Sequence, residues 1–132
     1  MNKLIVIGNL GRDPEMRYLP SGQAVTNFSV ASTRKYKASS GEQVKETTWV
    51  KCACWGKLAE IASKYLVKGK QVYVEGRLTP DENGNPHTFA RQDGTAGAAF
   101  EMTVENLQFL GSASEGNGNG EHEAASEEVI PL

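Results

Sequence analysis

Trp49, Lys51 and Trp55 share one strand-like segment, Val44 to Trp55, at odd spacing. In an extended chain alternate side chains face opposite ways, so these three stand together on one face. Two indoles with an ammonium between them can do a specific kind of chemistry. Every nucleobase has a π-face, so an aromatic platform holds single strands with little sequence preference, at about 1–3 kcal/mol per stacked base. Lysines supply a salt-dependent attraction for phosphate. The competing expectation for the same tryptophans is burial in a subunit interface or beneath a second packing layer.

The same chemistry recurs nearby. Arg34-Lys35-Tyr36-Lys37 sets three cations around one aromatic ring just before the turn signal Ser39-Ser40-Gly41. Lys57 follows directly on Trp55-Gly56. Arg77 follows Gly76, where a missing side chain permits close approach. Tyr73 has the outward parity of its strand, although it could equally pack on a neighbour. Lys3 and Arg91 are further candidate phosphate contacts. Lys64 and Lys68 read as the wet face of a helix.

Catalytic constellations are absent, and the chain reads as a non-enzyme. His87 lies in a Gly/Asn/Pro-rich stretch and His122 in a Gly/Glu-rich one. Asp13 and Glu15 stand between Arg12 and Arg17, where ion pairing accounts for them. Gly8-Asn9-Leu10-Gly11 is no phosphate loop, because such loops open a helix and Pro14 argues against one. Cys52 and Cys54 fall on the face opposite the tryptophans and read as small buried apolar side chains. Neither a metal nor a cofactor is expected, and nothing suggests a disulfide framework.

The elements that must position these residues are mostly strands. Lys3 to Gly8 is apolar and β-branched. Arg12 to Gly22 contains two prolines and reads as a loop. Ala24 to Arg34 and Val44 to Trp55 are the next strands, the latter with Thr48, Val50, Cys52 and Cys54 turned inward. In KLAEIASKYLV the period becomes helical, with Leu58, Ile61, Ala62, Tyr65 and Leu66 on one face. Gly69 stands near a helix-capping position. Gln71 to Leu78 returns to strand period. Asp81 to Gly97 reads as a long hairpin arm. Ala98 to Leu110 is the last strand, with Phe100, Met102 and Val104 alternating inward. Leu107 and Phe109 change parity, which predicts a bulge near Glu105-Asn106. Three strands, a helix and two strands is the element order of an OB-fold, a five-stranded Greek-key barrel, here all-β with one helix and an extended hairpin arm between its last two strands. An open α+β sandwich is the alternative.

Charge divides along the chain. Residues 1–77 hold thirteen Lys/Arg against six Asp/Glu, residues 78–111 carry a net −4, and residues 112–132 carry five glutamates and no Lys or Arg. A basic front and acidic rear suggest a polyanion-binding surface with an interaction tail. The boundary falls near Gly111: 1–111 is the folded, nucleic-acid-binding domain, and 112–132 is expected to be a disordered acidic tail. Its last six residues, Glu127, Glu128, Val129, Ile130, Pro131 and Leu132, place a small apolar tip after two carboxylates, a pattern suited to a peptide ligand. No apolar run approaches the roughly 18 residues of a membrane helix, and the N-terminus does not read as a signal peptide, so the expectation is a cytoplasmic protein with no membrane partner.

The residues above also carry a resemblance. NKLIVIGNLGRDPEMRYLPSGQAVTNFSVAS, TTWVKCACWGKLAEIASKYLVKGKQVYVEGRL and the closing LQFLG resemble the bacterial single-stranded DNA-binding protein family, SSB, over nearly the whole chain. The resemblance implies an OB-fold that assembles as a homotetramer, binds single-stranded DNA and serves replication, recombination and repair in the bacterial cytoplasm, at the nucleoid. It assigns stacking roles to Trp49, Trp55 and Tyr36, and by its spacing from Gly94 to Phe89. Thr79 to Pro86 looks like an insertion in the arm. The family's tail ends in acidic residues and an Ile-Pro-Phe type tip bound by replication and repair proteins. Here Leu132 replaces the phenylalanine and glutamates replace aspartates. The alternative is an OB-type assembly module, such as a primosome accessory protein, with its outward aromatics buried in a subunit contact.

Overall fold

The computed structural model describes residues 1–111 together with Val129 and Ile130. In chain order the elements are β1 (Leu4–Leu10), β2 (Glu15–Tyr18), β3 (Ala24–Lys37), β4 (Gln43–Trp55), α1 (Lys57–Tyr65), β5 (Gln71–Leu78), β6 (His87–Ala90), β7 (Ala96–Phe109) and β8 (Val129–Ile130). β1, β5, β7, β4 and β3 are neighbours in that order, and β1 also pairs with β3 through Asn9 with Ala31 and Leu10 with Val30. That last pairing closes a five-stranded barrel. Four of its contacts are antiparallel, while β4 and β7 run parallel over Val50–Ala53 and Phe100–Thr103. The OB-fold architecture expected from the element order is the one observed.

The barrel is filled by the inward parities. Val30, Val50, Cys52, Cys54, Val72, Val74, Met102, Val104 and Leu107 are buried, and α1 closes one end with Leu58, Ala59 and Ala62, followed by Leu66. Thr26 is the buried polar residue among them. Its hydroxyl donates to the carbonyl of Ala59 at 2.7 Å, which ties β3 to α1 without leaving an unsatisfied group. Burial pushes both thiols up, Cys54 to about 12, so the cysteines stay neutral in the packed core as their parity implied.

Several expectations need correction. The segment Arg12 to Gly22 is not all loop: Pro14 and Pro20 bracket β2, which pairs along the start of β3 from Glu15 with Asn27 to Tyr18 with Ala24. No proline lies inside β2, so an edge strand is compatible with both. Asp13 makes no ion pair among the described residues; its carboxylate accepts from the Lys68 backbone N–H at 2.8 Å. Tyr65 is exposed, because α1 ends there and its ring tilts onto Phe109 instead. Thr48 is exposed although its parity is inward, because β4 has already left the barrel there.

The bulge lies where parity predicted. Glu75 pairs with Asn106 but Gly76 with Val104, so Glu105 is the extra residue. The tail, expected to be disordered, has one described piece. Val129–Ile130 pairs antiparallel with Gln108 and Leu107 on the β7 edge that β4 leaves free. The other tail residues lie outside the described ones, including Glu127, Glu128, Pro131 and Leu132.

Candidate nucleic-acid interface

Two ribbons leave the barrel together. β3 and β4 remain paired from Val25 with Trp55 out to Lys37 with Gln43, well past the last β4–β7 pair. β7 likewise runs outward from Phe100 and pairs with β6, from His87 with Ala99 to Ala90 with Ala96. β6 and the first residues of β7 make the outer part of the arm expected between Asp81 and Gly97. Its two turns are built by carboxylates. Asp81 accepts the backbone N–H of Asn83 and Asn85, and Asp93 accepts the N–H and hydroxyl of Thr95. Both carboxyls are thereby held below the usual range, Asp81 chiefly by the Asn85 N–H and Asp93 chiefly by the Thr95 hydroxyl.

Between the ribbons lies an open groove of about 1250 Å³. Trp49, Lys51 and Trp55 line it from β4, Phe89 and His87 from β6, and Glu101 and Thr103 from β7. Trp49 is 52% exposed, Trp55 40% and Phe89 43%, a large aromatic area to leave in water. Lys51 and Glu101 are neighbours across the parallel pair. The arm brings Phe89 to β4 so closely that the Lys51 ammonium lies 5.0 Å from its ring centroid. The Arg91 guanidinium lies 5.6 Å from the same ring, anchored by donating to the Ala96 carbonyl. A cation within about 6 Å of a ring is attracted to it, so both positive groups attract the Phe89 ring.

The other candidates divide. Lys35 pairs across the ribbon with Lys45, and Lys37 with Gln43, on the face that carries Trp49. Tyr36 and Arg34 have the opposite parity and stand on the other face. There the Arg34 guanidinium lies 4.5 Å from the Tyr36 centroid and bonds Glu46 at 2.7 Å. Lys57 is exposed at the start of α1, beside Trp55. Lys3, Tyr73 and Arg77 are outside the groove lining, and carboxylates engage all three. Lys3 pairs with Glu75 at 2.9 Å, the Tyr73 hydroxyl donates to Glu75 at 2.7 Å, and Arg77 pairs with Glu105 at 2.6 Å. Glu75 is accordingly held below the usual carboxylate range, first by its Lys3 bond and then by Tyr73.

Sequence reasoning missed several groove residues, Phe100, Arg12 and His87 among them. Phe100 was expected in the core but is 60% exposed, because its partner Val50 is the last β4 residue paired to β7 and nothing covers the fork. Arg12, expected as an ion-pair partner, lines the groove. His87 places its Nδ1 3.2 Å from a Glu101 oxygen, off the line of a hydrogen bond, and that nitrogen has no other partner among the described residues. Only the long-range pairing of β6 with β7 could have revealed His87. Among the described residues no cluster of potential metal ligands occurs, and no helix is long and apolar enough to cross a membrane.

Comparison with known proteins points the same way. The chain is 40% identical over 123 residues to the single-stranded DNA-binding protein of Neisseria meningitidis serogroup A, covering 93% of this chain and 67% of that one. It is 41% identical over 124 residues to single-stranded DNA-binding protein 1 of Chlorobaculum tepidum, covering 92% and 72%. It is 38% identical over 120 residues to the single-stranded DNA-binding protein of Xylella fastidiosa, covering 91% and 70%. The sequence model of the single-strand binding protein family matches residues 1–110, the whole barrel with both ribbons, and the chain belongs to that family.

Proposed function

We propose that this protein binds single-stranded DNA without catalysis and with little sequence preference, in bacterial replication, recombination and repair. The observation that carries this is the row Trp49, Lys51 and Trp55 on the outer face of β4, with Phe89 delivered to it by the arm. Stacking on these rings is indifferent to base identity, and Lys51, Lys35, Lys37 and Lys57 make no ion pair among the described residues, which leaves them available to phosphates. The relatives' names support the same ligand.

Assembly as a homotetramer belongs to this reading. Ile5 and Ile7 are exposed on β1, opposite Glu75 and Tyr73 of β5. An exposed apolar strand face of this kind favours contact with further copies of the chain. It also separates assembly from the tryptophan groove, which argues against a pure assembly module. The acidic tip, Glu127 to Leu132, recruits partner proteins of replication and repair, with Leu132 offering less surface to a pocket than an aromatic residue would.

Titration with oligo-dT, followed by tryptophan fluorescence at several salt concentrations, tests the proposal. Strong quenching is expected, with an affinity that falls as salt rises. Unchanged fluorescence together with no binding by an independent method would sink it. Removing residues 127–132 should leave oligo-dT binding intact and abolish pull-down of replication and repair proteins. A truncated protein that still captures them would remove the tip from the account.

A further inference from the structure

Gly11, in the groove lining, and Gly97, opposite Phe89 across the β6–β7 pair, have ordinary backbone angles, unlike Gly94 in the adjoining turn, where φ is 90°. The main chain at Gly11 and Gly97 would therefore accept an alanine. What it could not accept is the space the new methyl needs. A Cβ on Gly11 would lie 2.6 Å and 2.7 Å from Cζ3 and Cη2 of Trp49. A Cβ on Gly97, the cross-strand partner of Phe89, would lie 2.7 Å from Phe89 Cζ and 2.9 Å from the Arg91 guanidinium carbon. Such distances are well inside carbon–carbon van der Waals contact. In both cases the displaced groups are side-chain ends, the Trp49 and Phe89 rings among them lining the groove, with no backbone atom among the three nearest.

We propose that Gly11 and Gly97 are positioning residues, each keeping bare a patch of main chain on which one ring rests. Trp49 lies against the β1–β2 connection at Gly11. That connection is itself fixed by the Gly11 N–H bonding to the Ser29 carbonyl at 3.1 Å. Phe89 lies across Gly97, which its ring and Arg91 together bury although both its neighbours are exposed. Ordered in this way, a ring loses little further freedom when a base stacks on it, which is the general advantage of preorganisation. The inference rests on the binding function proposed above and assigns the residues that orient two of its platforms.

The test is a set of double-mutant cycles on the full chain, with oligo-dT as ligand. Gly97→Ala should lose about as much affinity as Phe89→Ala, on the order of 5- to 150-fold, and should cost nothing further in the Phe89→Ala background. Gly11→Ala should behave in the same way towards Trp49→Ala. Thermal unfolding midpoints of both glycine variants should stay at the wild-type value, because only side-chain ends are displaced. A glycine that acts on the fold alone would cost the same in both backgrounds and lower the midpoint, which would overturn the proposal. Wild-type affinity in both glycine variants, with Phe89→Ala and Trp49→Ala still weakened, would overturn the proposal and leave the binding function standing. A wild-type protein that fails to bind oligo-dT would remove both.

Discussion

With Trp49 and Trp55 both replaced by alanine, the protein should bind oligo-dT roughly 2–6 kcal/mol more weakly than wild type, at about 1–3 kcal/mol for each lost platform. Near-additivity is expected because six residues of extended strand put the two backbone positions about 20 Å apart, beyond the range at which neighbouring sites couple. The fold should survive, since both side chains are about half exposed and the core lies on the other parity of β4. The chain has only these two tryptophans, so the double variant must be followed by anisotropy of a labelled oligonucleotide. The slope of affinity against salt should hardly change, because the cations proposed to meet phosphate remain. Lys51→Ala should do the reverse, losing less affinity while flattening the slope. Unaltered affinity in the tryptophan variant, together with a smaller oligomer, would reassign both indoles to a subunit contact.

How far the sequence disclosed this site depended on how local each cause was. Alternation along β4 is a property of the strand alone, so the division between Cys52 and Cys54 inside and Trp49, Lys51 and Trp55 outside was readable from spacing. The bulge at Glu105 was readable for the same reason, from the parity change before Leu107. Where a strand leaves the barrel, parity ceases to mean burial. Phe100 and Thr48 have inward parity and yet are exposed, because the end of the β4–β7 pairing is set by residues far apart in the chain. For Tyr36, spacing within its own strand did not disclose which face of the ribbon it shares. Its composition matched the site, but the register with Val44 puts it on the far face of the ribbon from Trp49. The edge strand β2 was hidden by its flanking prolines, which signal a turn whether or not four paired residues lie between them. Gly11 and Gly97 carry no signal at all in one sequence, since what matters is the ring resting on each.

The largest loss of stability should come from the smallest change, Gly76→Ala. This glycine stands where the β5–β7 register slips past Glu105, and the neighbouring strand leaves no room for a side chain there. A Cβ at Gly76 would lie 1.9 Å from the Thr103 carbonyl oxygen, 2.9 Å from its carbon and 3.0 Å from the Val104 Cα. Unlike Trp49 or Phe89, these atoms cannot rotate aside, because Thr103 is also paired to Ala53 of β4 and Val104 is buried. The strands must part locally, and the pairs from Gly76 to Leu78 would be weakened along with the Arg77–Glu105 contact. Overpacking a core with side-chain atoms costs about 1–3 kcal/mol, and a clash between backbones should reach or exceed the top of that range. For a domain of this size a loss of about 3 kcal/mol lowers the unfolding midpoint by roughly 10–20 °C. Gly111→Ala is the matched control, since a Cβ there meets nothing within 4 Å and should leave the midpoint unchanged. The arm hangs from this end of β7, so Gly76→Ala should also weaken oligo-dT binding even at temperatures where the variant is folded. A midpoint within 2 °C of the control, on the order of half a kcal/mol, would show that β5 and β7 do not approach each other so closely at the bulge.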